Sequence, residues 1–96
     1  MNDPHSHARI HRLRDEISDL DRAILAAINA RLAVVAELKR YKEEHGISFV
    51  DPDRERELLD ELVAANSGPL SESGLREVFG ELLDLMKREV SRDGAS

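Results

Sequence analysis

The feature that most constrains this chain is one long apolar stripe. Ile10, Leu13, Ile17, Leu20, Ile24, Ala27, Val34, Leu38 and Tyr41 recur on a three-and-four spacing, with Arg31 taking one place in the series, and no glycine or proline falls between Arg9 and Gly46. That period is helical. Leu25, Ile28, Leu32 and Val35 widen the stripe on one flank. At about 1.5 Å per residue, a helix of roughly 36 residues is about 54 Å long, whereas a compact domain of about 100 residues has a radius of gyration near 13 Å. Such a helix projects from its own globule, and its stripe then needs cover from a second chain.

The remainder of the chain reads as two shorter helices. Gly46 follows His45 where a helix C-cap belongs, and Ile47 to Val50 form a short apolar connector. Asp51-Pro52 is an N-cap carboxylate followed by proline at the first helical position, and opens a helix expected to run to about Ala65, with Leu58, Leu59, Leu62 and Val63 as its buried face. Asn66-Ser67-Gly68-Pro69 is turn chemistry. Ser71 caps a third helix with the stripe Leu75, Val78, Phe79, Leu82, Leu83, Met86 and Val90. The expected organisation is a disordered tail over residues 1–8, where Pro4 sits among aperiodic polar side chains, one helical domain over 9–91, and a frayed end over 92–96.

Composition supports an all-α fold of three helices, one very long: aromatics are 3% and charged residues 35%, a balance that suits amphipathic helices rather than a β-sandwich. The absence of cysteine excludes disulfides, thiolate nucleophiles and Cys-based zinc or iron–sulfur sites. A net charge of −6 argues against a nucleic-acid partner, whose phosphates call for a basic face. The longest apolar runs are only a few residues and Met1 to His7 is polar, so neither a membrane span nor a secretion signal is expected and the cytoplasm is the expected compartment.

Arg31 is the anomaly of the long helix, because it stands where Ile, Leu or Val is expected. A buried guanidinium without a partner is costly, so Arg31 either snorkels to solvent or meets an anion. Lys42, eleven residues on, lies within about 20° of the same face and about 16 Å further along the axis. Arg14, seventeen residues before Arg31, is turned away from that face by about 100°. It cannot line the same pocket from the same helix, but in a two-fold dimer it can enter the pocket of the other chain. Asp51, Arg54 and Glu55 bring further polar groups to the start of the second helix. For these charges, and for Lys42 among Lys39, Arg40, Glu43 and Glu44, the simpler reading is a solvated run of caps and surface pairs. His7 and His11 are four apart but have no evident third ligand, so no metal site is expected. No Ser-His-Asp set, carboxylate pair or glycine-rich phosphate loop is present.

The segments LRDEISDLDRAIL and INARL, a lysine eleven residues past that arginine, and DPDRERELL resemble, in order and spacing, the all-α class of chorismate mutases across about residues 10 to 90. The resemblance implies an intertwined helical homodimer with each active site built from both chains, chorismate as substrate, prephenate as product, and no cofactor. It implies that Arg14 reaches a substrate carboxylate from the partner chain and that Arg31 binds a carboxylate from within. Lys42 would donate to the ether oxygen of the breaking C–O bond, Asp51 and Glu55 would contact the ring-hydroxyl region, and Arg54 would support the carboxylate network. The family commonly places a small hydroxyl residue and, four positions later, Gln or Glu against the substrate from the third helix. Here those places hold Met86 and Val90, with Lys87 and Glu89 as neighbouring polar substitutes. Two alternatives stand beside the mutase reading. One is a lyase on the same fold that cleaves isochorismate. The other is a noncatalytic or partner-activated dimer serving a shikimate-pathway enzyme, which the apolar Met86 and Val90 favour and the full set of cations opposes.

Overall fold

A computed structural model describes residues 4–94, and over that range the chain forms three α-helices: α1 (Pro4–Glu44), α2 (Pro52–Ala65) and α3 (Glu72–Gly94). No strand occurs among the described residues. α1 begins at Pro4 rather than near Arg9, so residues 4–8 of the expected disordered tail are helical, while residues 1–3 lie outside the described residues. The physical reason is positional: proline lacks the N–H that a first helical residue leaves unsatisfied anyway, and its fixed φ suits a helix start. At the other end α3 stays helical through Gly94, and of the frayed end expected over 92–96 only residues 95–96 lie outside the described residues.

The chain divides into two compact units, one ending at Ala33 and one beginning at Val34. The first is a stretch of α1. Along it Ile17, Leu20, Ile24 and Leu25 are each more than half exposed (57–62%), so within the single chain the apolar stripe is bare. Among the described residues of this unit, Ile28, Arg31 and Leu32 are half-buried.

The second unit holds the last turns of α1 together with α2 and α3. α1 ends in a Schellman motif: the Ile47 N–H donates to the Lys42 carbonyl at 2.8 Å, the Gly46 N–H donates to the Glu43 carbonyl at 3.3 Å, and Gly46 carries the required positive φ of 66°. Asp51 caps α2, its carboxylate accepting the Arg54 N–H at 3.1 Å. In the turn that follows α2, the Asn66 side chain accepts the Gly68 N–H and donates to the Leu70 carbonyl, and the Ser71 hydroxyl then caps α3 by accepting the Gly74 N–H at 3.0 Å.

α2 and α3 pack as an antiparallel hairpin. Two ion pairs register it: Asp60 meets Arg76 at 3.0 Å, and the earlier Glu55 meets the later Lys87 at 2.8 Å, so partners run in opposite directions. The core lies on α3, at Leu75, Leu83, Met86 and Val90, the last two only 2% exposed. Leu58, Leu59, Leu62 and Val63 form the shielded face of α2, as their spacing predicts, but each is half-buried rather than buried. Val78, expected on the buried stripe of α3, is 56% exposed. It stands three residues past Leu75 on the flank of that stripe, beyond the reach of α2 as packed here.

Candidate active site

The cations on α1 differ in their surroundings. Arg14 is exposed and, with His7, Ile10 and His11, lines a shallow depression on the helix; it makes no ion pair among the described residues. Arg31 is half-buried, and its Nη1 is shielded from solvent without a hydrogen-bond partner, the only side-chain atom in that condition among the described residues. Seventeen residues of helix separate these two arginines, or about 25 Å along the axis, so one chain cannot bring them together. Lys42 is half-buried, and its Nζ donates a long 3.4 Å hydrogen bond to the Phe49 carbonyl, which the Schellman turn has carried back beside it.

Five basic side chains among the described residues are half-buried: Arg31, Lys39, Lys42, Arg76 and Lys87. Three have carboxylates. Lys39 pairs with Glu43, Arg76 with Asp60 and Glu72, and Lys87 with Glu55 and Asp84. The Asp60 hydrogen bond holds the Arg76 guanidinium above its ordinary pKa, and the Glu55 hydrogen bond does the same for the Lys87 ammonium, in each case against a smaller opposing effect of desolvation. Since a raised lysine pKa favours the charged form, the Lys87 contribution to stability is complete at neutral pH and fades only as pH rises through its elevated value. Arg31 and Lys42 alone of the five have no carboxylate among the described residues. A half-buried charge without a counter-ion is free to receive an anion.

Around α2 the picture is mixed. Asp51 is exposed and occupied as the N-cap. Arg54 is exposed and turns along its own helix toward Glu57 at 3.8 Å and Glu61 at 3.5 Å, surface pairs of the ordinary kind. Glu55 is half-buried and engaged by Lys87. Met86 and Val90 are the two most buried side chains of α3 among the described residues. Glu89, the other polar neighbour on α3, is half-buried and pairs with Arg92 at 3.3 Å. The Glu55–Lys87 pair was not anticipated from sequence. Its signal was there: Glu55 precedes Leu58, Leu59 and Leu62 by three, four and seven residues, which puts it on the α3-facing side of α2.

The described residues contain no cluster of three or more possible metal-ligating side chains, and no helix among them is long and apolar enough to cross a membrane.

Residues 13–90 match the family model described as chorismate mutase type II. The chain belongs to that family. Among solved structures, chorismate mutase Form II from Thermus thermophilus is 34% identical, with a TM-score of 0.84 over 88% of this chain and 96% of that one. Form I from the same organism is 36% identical, with a TM-score of 0.80 over 81% of this chain and 98% of the other. A curated relative, the T-protein of Enterobacter agglomerans, is 36% identical over 52 residues, which are 54% of this chain. The matched region spans only 14% of that relative's length. With the family established, the all-α architecture of one long and two shorter helices is the chorismate mutase type II fold.

Proposed function

We propose that this protein converts chorismate to prephenate in a cationic site completed by a second copy of the chain. The reaction is an intramolecular pericyclic rearrangement, so it calls for no nucleophile and no proton shuttle. What accelerates it is holding the dianion in its compact reactive conformer and fixing positive charge where the ether oxygen gains electron density. The observation that carries this reading is Arg31, a guanidinium with one nitrogen shielded from solvent and unpartnered on an otherwise apolar stripe. A dimerisation helix alone would gain stability from an apolar residue there.

In this reading Arg31 binds a substrate carboxylate from within the protomer, and Lys42 donates to the ether oxygen, giving up its long bond to the Phe49 carbonyl. Arg14 arrives from the second copy to bind the other carboxylate; the bare apolar stripe around it supplies the surface on which two copies associate. Glu55 and Asp51 meet the ring-hydroxyl region, and Arg54 supports the carboxylate network after leaving its surface pairs. Met86 and Val90, each 2% exposed, pack in the hairpin core and back the site from behind, so α3 offers the substrate no hydrogen-bond donor at these two positions. The homodimer is cytoplasmic and is open to regulation by a shikimate-pathway enzyme.

The test is the loss of chorismate absorbance with purified protein, with the product identified. Prephenate formation supports the reading. Salicylate and pyruvate from isochorismate would replace it with the lyase, and a folded dimer without turnover would replace it with a noncatalytic role.

A further inference from the structure

The third helix of this chain lacks polar side chains at Met86 and Val90, yet it does bring one charged group to a residue of the proposed site. Lys87 follows Met86 directly and precedes Val90 by three residues, so it stands on the edge of the buried face of α3. From there its Nζ reaches Oε1 of Glu55 at 2.8 Å, and both side chains are about one-third exposed (30% and 32%). The contact to Asp84 is longer, 3.5 Å, and made to a side chain that is 62% exposed. Glu55 is therefore the principal partner, and Oε2 of Glu55 makes no ion pair among the described residues.

We propose that Lys87 is a positioning residue, holding Glu55 by one carboxylate oxygen so that the other accepts a hydrogen bond from the substrate's ring hydroxyl. This rests on the mutase reading of the site. The charge balance requires some such device. A bare carboxylate beside a dianion repels it, and a protonated one is a poorer acceptor. An ammonium on Oε1 cancels the repulsion and fixes the carboxyl plane, while the lone pairs of Oε2 stay available. Lys87 thus neither touches the substrate nor replaces the donors missing at Met86 and Val90; it makes Glu55 compatible with the ligand.

The experiment is a double-mutant cycle read in kcat and KM. Lys87→Met should lower kcat/KM by about 10- to 100-fold, mainly through KM, the size expected when a charge-assisted contact is lost. Lys87→Arg, which keeps the charge and can still reach Glu55, should recover most of the loss. In a Glu55→Gln background the repulsion is absent, so adding Lys87→Met should change kcat/KM by less than about threefold. Equal losses in both backgrounds would overturn the proposal, since Lys87 would then act on substrate directly or only on folding. Thermal unfolding of each variant separates those two outcomes. Wild-type protein that fails to convert chorismate would overturn the mutase reading itself and this proposal with it, whereas active wild type with equal losses overturns this proposal alone.

Discussion

Replacing Arg31 by methionine sets stability against function at one position. Nη1 of Arg31 is shielded from water and has no hydrogen-bond partner. An unsatisfied buried donor costs about 1–3 kcal/mol, and methionine keeps a flexible apolar stem of comparable reach without that donor. The ligand-free variant should therefore be more stable than wild type by about 1–2 kcal/mol, which for a domain of this size raises Tm by roughly 4–8 °C per kcal/mol. Melting is to be followed by circular dichroism at one fixed protomer concentration, because the proposed association of two copies would make Tm depend on concentration. Saturating prephenate should reverse the order. Ligand at about 100 times its Kd stabilises the binding-competent protein by about 2.7 kcal/mol, and the variant, lacking the guanidinium proposed to meet the carboxylate, should gain little. Turnover should fall by at least about 10²-fold, because the dianion loses a contact that holds it in its reactive conformer. A ligand-free Arg31→Met protein that melts below wild type would refute the reasoning, for it would show the guanidinium to be satisfied and structural. A variant that prephenate stabilises as much as wild type would refute the assignment of Arg31 to the ligand.

Other substitutions probe the scaffold and the shared site. Met86 is 2% exposed, so Met86→Ala should cost about 2–5 kcal/mol in a urea titration, with an unchanged m-value. Asp51→Ala removes the N-cap of α2 and should cost about 1 kcal/mol, visible as a lower midpoint in the same titration. Chains carrying Arg14→Ala and chains carrying Arg31→Ala should each be inactive alone. After subunit exchange at equal concentrations they should recover roughly a quarter of wild-type activity, because half the dimers then hold one intact composite site; proven exchange without recovery would argue against sites shared between copies.

Much of the fold was legible because each boundary has local chemistry behind it. Gly46 at positive φ, the Asp51 carboxylate on the Arg54 N–H and the Ser71 hydroxyl on the Gly74 N–H are short-range interactions, and short-range interactions leave signatures in adjacent residues. The start of α1 is not legible in the sequence because Pro4 is ambiguous by itself, a breaker inside a helix and a favoured residue at its first position. What was hidden is pairing at long sequence separation. Glu55 and Lys87 lie thirty-two residues apart, and their meeting depends on the register of α2 against α3, which side-chain packing decides. For the same reason the sequence could not tell that Arg54 turns toward Glu57 and Glu61.

An acidic chain is not an obvious host for a dianion, and net charge alone would suggest repulsion. The potential in a pocket, however, is governed by the charges within a few ångströms and by whether they already have partners, since screening removes most of the influence of exposed charges farther off. Here the surplus carboxylates are largely on the surface, several of them paired with Arg22, Arg56 and Arg92. The half-buried cations Lys39, Arg76 and Lys87 would each have to release a carboxylate before binding an anion. Arg31 and Lys42 have none to release among the described residues. That difference makes them suited to an anionic ligand, and it carries a consequence for design: a carboxylate introduced within reach of Arg31, such as Ile28→Glu one turn before it, should satisfy the guanidinium internally, leave the helix intact and weaken substrate binding. Tight binding retained in that variant would show that Arg31 does not select its ligand by being unpaired.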